Sequence, residues 1–465
     1  GGMEYPMLVM DGSESEGLIL HEVGHIWFFG ILANNEVRES WLDEGFTSFQ
    51  DRWYMMDRYG DQGFDMNGGR LKDWQKKYWK FSSDLGNTQW SMIGFMSSGL
   101  DEPIGRSTYM FKNTRAAGAN AYTKPSLMLD ELKYILGEEI FLKSMQEYYR
   151  RWKLKHVNEK RFIDVVEEVS GEDLDWFFRS WLHDTRKLDY GIKSWKKTQR
   201  PNGTWDITLD IVRHGKRDMP QLIETNLKDG ATHRIWWKNH KFRTADTFTY
   251  NVPSEPKNAT LDPDVQTMDI DFRNNFVQTK MPSEVMFYRP GMLRYRPRNK
   301  YVLQYYPTVQ YHDVDGYMPG LKLKRNYGIN EELNFDLNVG AETGMPYWKI
   351  SGWRRYLHTG MRKYEYSLYD FGGVRGFGIS TSNKLSPTSP TSLTVGLSVT
   401  DVADVKRTNL FEKGLVSVVT IKFGDSRFDD GSVMIDFSPG GISDWSFTRL
   451  SIEDTFGKKF KLFGF

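Results

Sequence analysis

The chain has 465 residues, with 62 Lys and Arg against 61 Asp and Glu. A net charge of +1 gives it no basic surface for nucleic acid or any other polyanion. Its length allows two or three domains with their own cores. Cysteine is absent, which excludes thiolate metal sites, cysteine nucleophiles and disulfides, and no apolar run reaches the roughly 18 residues of a membrane-spanning helix.

The chain opens Gly1-Gly2-Met3-Glu4-Tyr5-Pro6. Two glycines let an extended backbone approach a ligand closely. Glu4 is the only charged side chain among the first ten residues, and an isolated Glu is more often an exposed turn carboxylate than a ligand. No secretory signal is visible, and an opening inside a motif reads as a fragment whose own N-terminus is missing.

A helix expected over residues 16–32 carries His21-Glu22-Val23-Gly24-His25. Histidines four apart project from one helix face and can reach one ion. After eighteen residues comes Glu44, on the first turn of a second helix running from Trp41 to Tyr59 and broken at Gly60-Asp61. Two imidazoles and a carboxylate are three ligands of the kind Zn²⁺ takes, with a fourth position left for water. Glu22, beside the first ligand, is placed to take a proton from that water. Cobalt or manganese would accept the same three ligands. The bland alternative is a core helix (Leu18, Ile19, Leu20, Val23, Ile26, Trp27) whose histidines are satisfied by neighbours.

A charged, aromatic helix is expected over residues 70–80. Residues 82–120, rich in Gly, Ser and Asn, read as a loop and binding wall. Tyr122 precedes a helix over residues 126–136, with Pro125 in its first turn and Gly137 at its end. On spacing alone Tyr122 is an ordinary half-buried tyrosine. Further helices are expected over residues 138–152, 159–169 and 174–182. His156 and His183 have no ligand spacing and read as structural.

Three motifs in this order resemble the aminopeptidase N-type zinc metallopeptidases, the gluzincin aminopeptidases related to leukotriene hydrolase. Gly2-Met3-Glu4 lies in a version of their G-x-M-E-N motif. His21-Glu22-x-x-His25 with Glu44 inside Trp41-Leu42-Asp43-Glu44-Gly45-Phe46 matches their metal motif. Tyr122-Thr123-Lys124 resembles their Y-x-K-G. The resemblance runs from the first residue to about residue 190, and it implies a thermolysin-like, mostly helical catalytic segment. It implies one zinc ion on His21, His25 and Glu44, Glu22 as general base, Tyr122 as oxyanion donor, and Gly2, Met3 and Glu4 binding substrate, with Glu4 on the free α-amino group. Tyr5 stands where the family has asparagine, and Pro125 where it has glycine.

From about Tyr190 the periodicity becomes two, as in Trp205-Asp206-Ile207-Thr208-Leu209-Asp210-Ile211. Some seven short strands over 190–280 suggest a small β-sandwich, like the one that follows the catalytic domain in that family. Residues 281–300 read as a linker. Over 301–465 long alternating stretches recur, among them Leu333 to Val339 and Leu393 to Val399, with aromatic residues near their ends. Strands of about 9–11 residues of this kind mark outer-membrane barrels, and eight to ten are expected. The terminal Phe463-Gly464-Phe465 and the Tyr311-to-Gly316 turn resemble those of bacterial surface-antigen barrels. A soluble antiparallel β-domain, such as one for glycan binding, shares the alternation.

The expectation is therefore a multidomain α+β chain: catalytic segment 1–189, sandwich 190–280, linker 281–300, and a β-region 301–465 forming an outer-membrane barrel. It would act as a zinc aminopeptidase on peptides with a free N-terminus. Its place would be the bacterial cell envelope, in the periplasm or outer membrane. A zinc endopeptidase and an outer-membrane binding or transport protein with a degenerate peptidase segment are the rival readings.

Overall fold

The computed structural model describes residues 1–61, 64–65, 69–70, 72–74, 80–238, 244–277, 281–288, 295–313, 315–359, 362–386, 389, 391–403, 413–425 and 431–453. The chain divides into two compact units. One is Gly1–Met96, Leu100–Pro282 and Gly291–Asn299; the other is Ser97–Gly99, Ser283–Pro290 and Lys300–Phe465.

The first unit begins with a hairpin of β1 (Gly2–Tyr5) and β2 (Leu8–Asp11). Helix α1 spans Glu16–Gly24, ending well short of the expected residue 32. Beyond it the chain turns irregularly, and Phe29 takes a left-handed φ of 123° that a helix cannot contain. After the short α2 (Glu36–Glu39), capped by the Asn35 side chain on the Arg38 amide, comes α3 (Glu44–Tyr59). Its apolar face, Phe46, Phe49 and Met55, is buried. Phe46 packs on Phe28, Trp41, Tyr148 and Phe162, and α3 ends at Gly60 with φ +76°.

Helix α4 (Asp84–Ser97) lies where a loop was expected. Its Ser, Gly and Asn content is poor for an isolated helix, but Leu85, Trp90, Met92, Ile93, Phe95 and Met96 are all buried. Tertiary packing, which supplies most helical stability, overrides propensity here. Helices α5 (Lys124–Leu136), α6 (Glu138–Trp152), α7 (Glu159–Ser170) and α8 (Asp175–Leu182) follow the expected bounds within two residues. The expected helix over 70–80 falls largely outside the described residues.

Among the described residues six strands build the sandwich: β3 (Tyr190–Gln199), β4 (Trp205–Arg213), β5 (Gln221–Leu227), β6 (Thr232–Trp237), β7 (Ala245–Val252) and β8 (Pro256–Leu261). They form two three-stranded sheets in the orders β6-β5-β8 and β7-β4-β3. Ile207, Leu209 and Ile211 alternate inward as expected and are buried with Ile223, Leu227, Val252 and Leu261. The sandwich is tied to the helices by one buried ionic cluster. Arg217 donates to both Glu131 oxygens at 2.5 and 2.6 Å, and Glu131 also accepts from Trp181 Nε1 at 2.9 Å and the Met268 amide at 2.6 Å. A buried pair held by these four hydrogen bonds fixes the join, and removing one partner would strand the other charge.

The second unit is an eleven-stranded sheet. Strand β9 (Ser283–Phe287), inside the expected linker, pairs in parallel with β10 (Tyr301–His312). An antiparallel meander follows: β11 (Gly316–Tyr327), β12 (Glu331–Val339), β13 (Pro346–Tyr356), β14 (Arg362–Phe371), β15 (Val374–Lys384), β16 (Thr391–Val402), β17 (Gly414–Asp425), β18 (Gly431–Ser438) and β19 (Phe447–Glu453). Among the described residues β9 and β19 are its two edges, and no pairing joins them. The expected closed barrel is therefore not seen there, and the terminal Phe463-Gly464-Phe465 lies outside the described residues.

One register row across this sheet reads Tyr305, Leu323, Phe335, Ile350, Leu368, Phe377, Val399, and another Val395, Ile421, Ile435, Leu450. The adjacent row on the opposite face reads Lys324, Asn334, Ser351, Ser367, Gly378, Ser398. Period-two alternation thus sorts the strands into an apolar and a polar face. The apolar face is the open one: Leu397 is 38% exposed, Ile379 55% and Ile452 71%, whereas polar Asn338, Ser432 and Asp436 are buried. No described helix is long and apolar enough to cross a membrane, which says nothing about strands.

Candidate metal centre

Two close helix contacts assemble the site. A Cβ on Gly24 would fall 2.8 Å from Thr47 Cγ2, so this glycine lets α1 lie directly on α3 and brings His21 and His25 to Glu44. A Cβ on Gly45 would fall 2.5 Å from the Pro125 ring. Glycine at 45 therefore seats Pro125, and the π-helical turn Ala119–Thr123 just before it delivers Tyr122 to Glu44.

Three donor atoms converge. His21 Nε2 lies 2.9 Å from Glu44 Oε2, His25 Nε2 lies 3.2 Å from the same oxygen, and the two Nε2 atoms are 3.3 Å apart. Four ligands placed tetrahedrally at the usual zinc–nitrogen distance stand about 3.3–3.4 Å from one another, so the triangle fits one such ion. The other ring nitrogens make the same case. His21 Nδ1 meets Asp51 Oδ2 at 2.8 Å, and His25 Nδ1 meets the Phe28 carbonyl at 3.1 Å. A carboxylate and a carbonyl accept protons, which places N–H on each Nδ1 and a lone pair on each Nε2. Two facing lone pairs and a carboxylate oxygen hold together through a cation.

The electrostatics agree. Burial acts to lower the His21 pKa, but Asp51 and Glu44 outweigh it and push it up to about 10, so the pocket favours positive charge at this point. Burial acts to raise Glu44, yet the His21 and His25 imidazoles and the Tyr122 hydroxyl set against it hold it down at about 2. Tyr122 is raised by burial and by the Glu44 charge, which keeps the phenol a proton donor. Glu22 is also raised, by burial first, with Glu4 and Glu44 adding to it against His21 and His25. Its Oε2 has no hydrogen-bond partner, and its carboxylate stands outside the ligand triangle as a free acceptor.

The predicted substrate residues divide. Gly2 and Glu4 share one face of β1, while strand alternation turns Met3 outward. Gly2 lies so close to Glu22 that a Cβ would overlap its carboxylate. A Glu4 oxygen, an Asp43 oxygen and a His25 nitrogen lie within 4.8 Å of one another. Met3, between Gly2 and Glu4 on β1, is exposed and is not brought among these groups.

The sequence reading passed over three residues. Asp51, buried and orienting His21, stands seven residues after Glu44 on the same helix face, a spacing that could have flagged it. Asp43, buried and pushed up to about 7 by burial and the Glu44 charge, and Glu36 on α2 are the others. Replacing Asp51 with asparagine keeps an acceptor for His21 and removes the charge. We expect the metal affinity of Asp51→Asn to fall about tenfold or more, read by competition with a chromogenic chelator. Affinity equal to wild type would mean His21 needs no such partner.

The donor set, the free carboxylate beside it and the phenol opposite define a metallopeptidase-type centre. Residues 8–181 match the Peptidase family M1 domain. The chain is 24% identical over 39% of its length to "Leucine aminopeptidase 2-1" of Meyerozyma guilliermondii, covering 30% of that protein. It is 28% identical over 36% of its length to "Aminopeptidase N" of Caulobacter vibrioides, covering 18% of that protein. A crystal structure of Legionella pneumophila aminopeptidase A in complex with aspartic acid aligns with TM-score 0.37 and 15% identity, covering 54% of this chain and 26% of that one. The chain thus spans less than a third of the length of these relatives.

Proposed function

We propose that the chain is a zinc aminopeptidase that hydrolyses the first peptide bond of peptides with a free N-terminus. The observation that carries this is the convergence of His21, His25 and Glu44 donors within 3.3 Å, with Glu22 and Tyr122 beside them. His21, His25 and Glu44 would hold the ion. When bound, zinc supplies a Lewis acid that polarises the scissile carbonyl and makes water more acidic. Glu22 takes the proton of the attacking water on its carboxylate and delivers it to the leaving amine. Tyr122 donates its phenolic proton to the oxygen on which charge develops. Glu4 accepts hydrogen bonds from the substrate α-ammonium and so measures one residue from the N-terminus.

The test is a pair of peptides differing only by N-acetylation. The expected result is release of the N-terminal residue from the free peptide and a kcat/KM lower by about 10²-fold or more for the blocked one, since the Glu4 carboxylate is left without its charged partner. Equal rates would make the chain an endopeptidase.

We further propose that the sheet over 301–453 faces a lipid bilayer, as the wall of an outer-membrane barrel, and anchors the peptidase in the bacterial cell envelope. An apolar face left open and a polar face partly buried is the inverse of a soluble sandwich, and strands of 7–12 residues suit a tilted crossing. A soluble sheet with an exposed apolar area of this extent would be an aggregation hazard.

A further inference from the structure

Of the run Tyr122-Thr123-Lys124 the reaction above uses only Tyr122. Packing alone does not fix its phenol. Tyr122 is 40% exposed, its hydroxyl meets Glu44, and its ring stacks on that of His21 at 5.8 Å. The backbone beneath it is the π-helical turn Ala119–Thr123, a rare form. Where the hydroxyl stands therefore depends on what holds that turn.

Lys124 comes two residues later, about 200° around a helix axis, so the two side chains leave opposite sides of the turn. Lys124 is 1% exposed, and its Nζ donates to Asp101 Oδ1 at 2.8 Å and to the Glu102 carbonyl at 2.7 Å. The Asp101 side chain is buried with it. The segment that receives Lys124 is itself anchored. Glu102 Oε1 accepts from the Lys112 amide at 2.9 Å, and the Gly105 amide donates to the Leu182 carbonyl, at the end of α8, at 2.8 Å. Lys124 thus ties the turn towards α8, while Pro125 seats it on α3 at Gly45. A buried ion pair is a weak source of stability, since apolar residues of similar volume often do as well or better. What it supplies is a fixed direction and length.

We propose that Lys124 and Asp101 are positioning residues for the oxyanion donor: their buried pair holds the turn so that the Tyr122 hydroxyl stands at the developing charge. This rests on the hydrolytic reading above. Neither residue is among the converging donors, and Lys124 acts only through Tyr122.

The experiment is a double-mutant cycle on zinc-loaded chains: wild type, Lys124→Met, Tyr122→Phe and the double variant. Methionine keeps much of the side chain's length and removes the ammonium. kcat and KM are measured on a free peptide and on its N-acetylated form. A catalytic group displaced by about 1 Å can cost about 10² in rate, so Lys124→Met should lower kcat by about that factor. KM should move by less than about twofold. In the Tyr122→Phe background the same substitution should change kcat by less than about twofold, because the group it positions is gone. Equal losses in the two backgrounds, or wild-type kcat in zinc-loaded Lys124→Met, overturn the proposal. Should Lys124→Met lose its zinc, Asp101→Asn takes its place in the cycle, with a kcat loss of about tenfold expected. Loss of zinc there too overturns the proposal, because the pair would then support the ligand set as a whole. Blocked and free peptides cleaved alike, with the cycle still non-additive, would remove the aminopeptidase reading and leave the positioning role standing. A zinc-loaded wild type that cleaves neither peptide overturns both.

Discussion

Glu22→Gln is expected to abolish turnover while leaving the metal in place. The carboxylate is buried, has one oxygen without a partner, and is not one of the three converging donors. The amide has nearly the same volume, so the packing of α1 on β1 and α3 is kept. What is lost is the acceptor that takes a proton and returns it. Positioned acid–base groups typically contribute about 10²–10⁴-fold, and kcat should fall by that much. Elemental analysis should find one zinc per chain in wild type and variant alike. A variant that keeps more than a tenth of wild-type kcat would remove Glu22 from the reaction. A variant that loses the zinc would show that Glu22 supports the ligand set instead.

That prediction rests on residues readable from spacing alone. His21, Glu22, His25 and Glu44 are tied to helix geometry, and the i, i+4 rule places two imidazoles on one face whatever else the chain does. Tyr122 was legible only through the resemblance, because nothing local says that the turn before α5 folds back onto Glu44. That contact depends on Pro125 seating against Gly45, eighty residues apart in sequence. Asp43 was not legible as a site residue: it is an ordinary acidic residue until the fold sets it beside Glu4 and His25. The same limit applies to α4, whose helix exists because its apolar residues are buried, not because of its composition.

The sheet was read unevenly for a related reason. Eight of its antiparallel strands announce themselves by alternation, but β13 and β15 do not. Gly352 and Arg354 interrupt the apolar face of β13, and Gly376 and Gly378 thin the polar face of β15. Their places are fixed by neighbours: Ile350 lies between Phe335 and Leu368, and Ile379 between Tyr366 and Leu397. Alternation could locate strands, but which face is open to the surroundings is a property of the assembled sheet.

That open face yields the second large effect. Leu397 and Ser398 are consecutive on β16 and point to opposite faces. Leu397 sits in the row Tyr366, Ile379, Leu397, Val419, Phe437, while Ser398 lines a hollow of about 450 Å³ with Asn334, Ser351 and Ser367. If the apolar face meets lipid, Leu397→Arg places a charge in hydrocarbon and should cost about 2–4 kcal/mol near the bilayer midplane. Ser398→Arg adds the same side chain to the polar face, where there is room and where Asp436 already holds Arg449, so its cost should be far smaller. The measurement is unfolding of both variants in phospholipid vesicles, with flotation to establish that wild type partitions with the lipid. In water the order would reverse in kind: an arginine on an exposed apolar face would be harmless or would improve solubility. A wild type that stays in the aqueous fraction, with Leu397→Arg at least as stable, would make the region a soluble sheet whose apolar face is covered by protein.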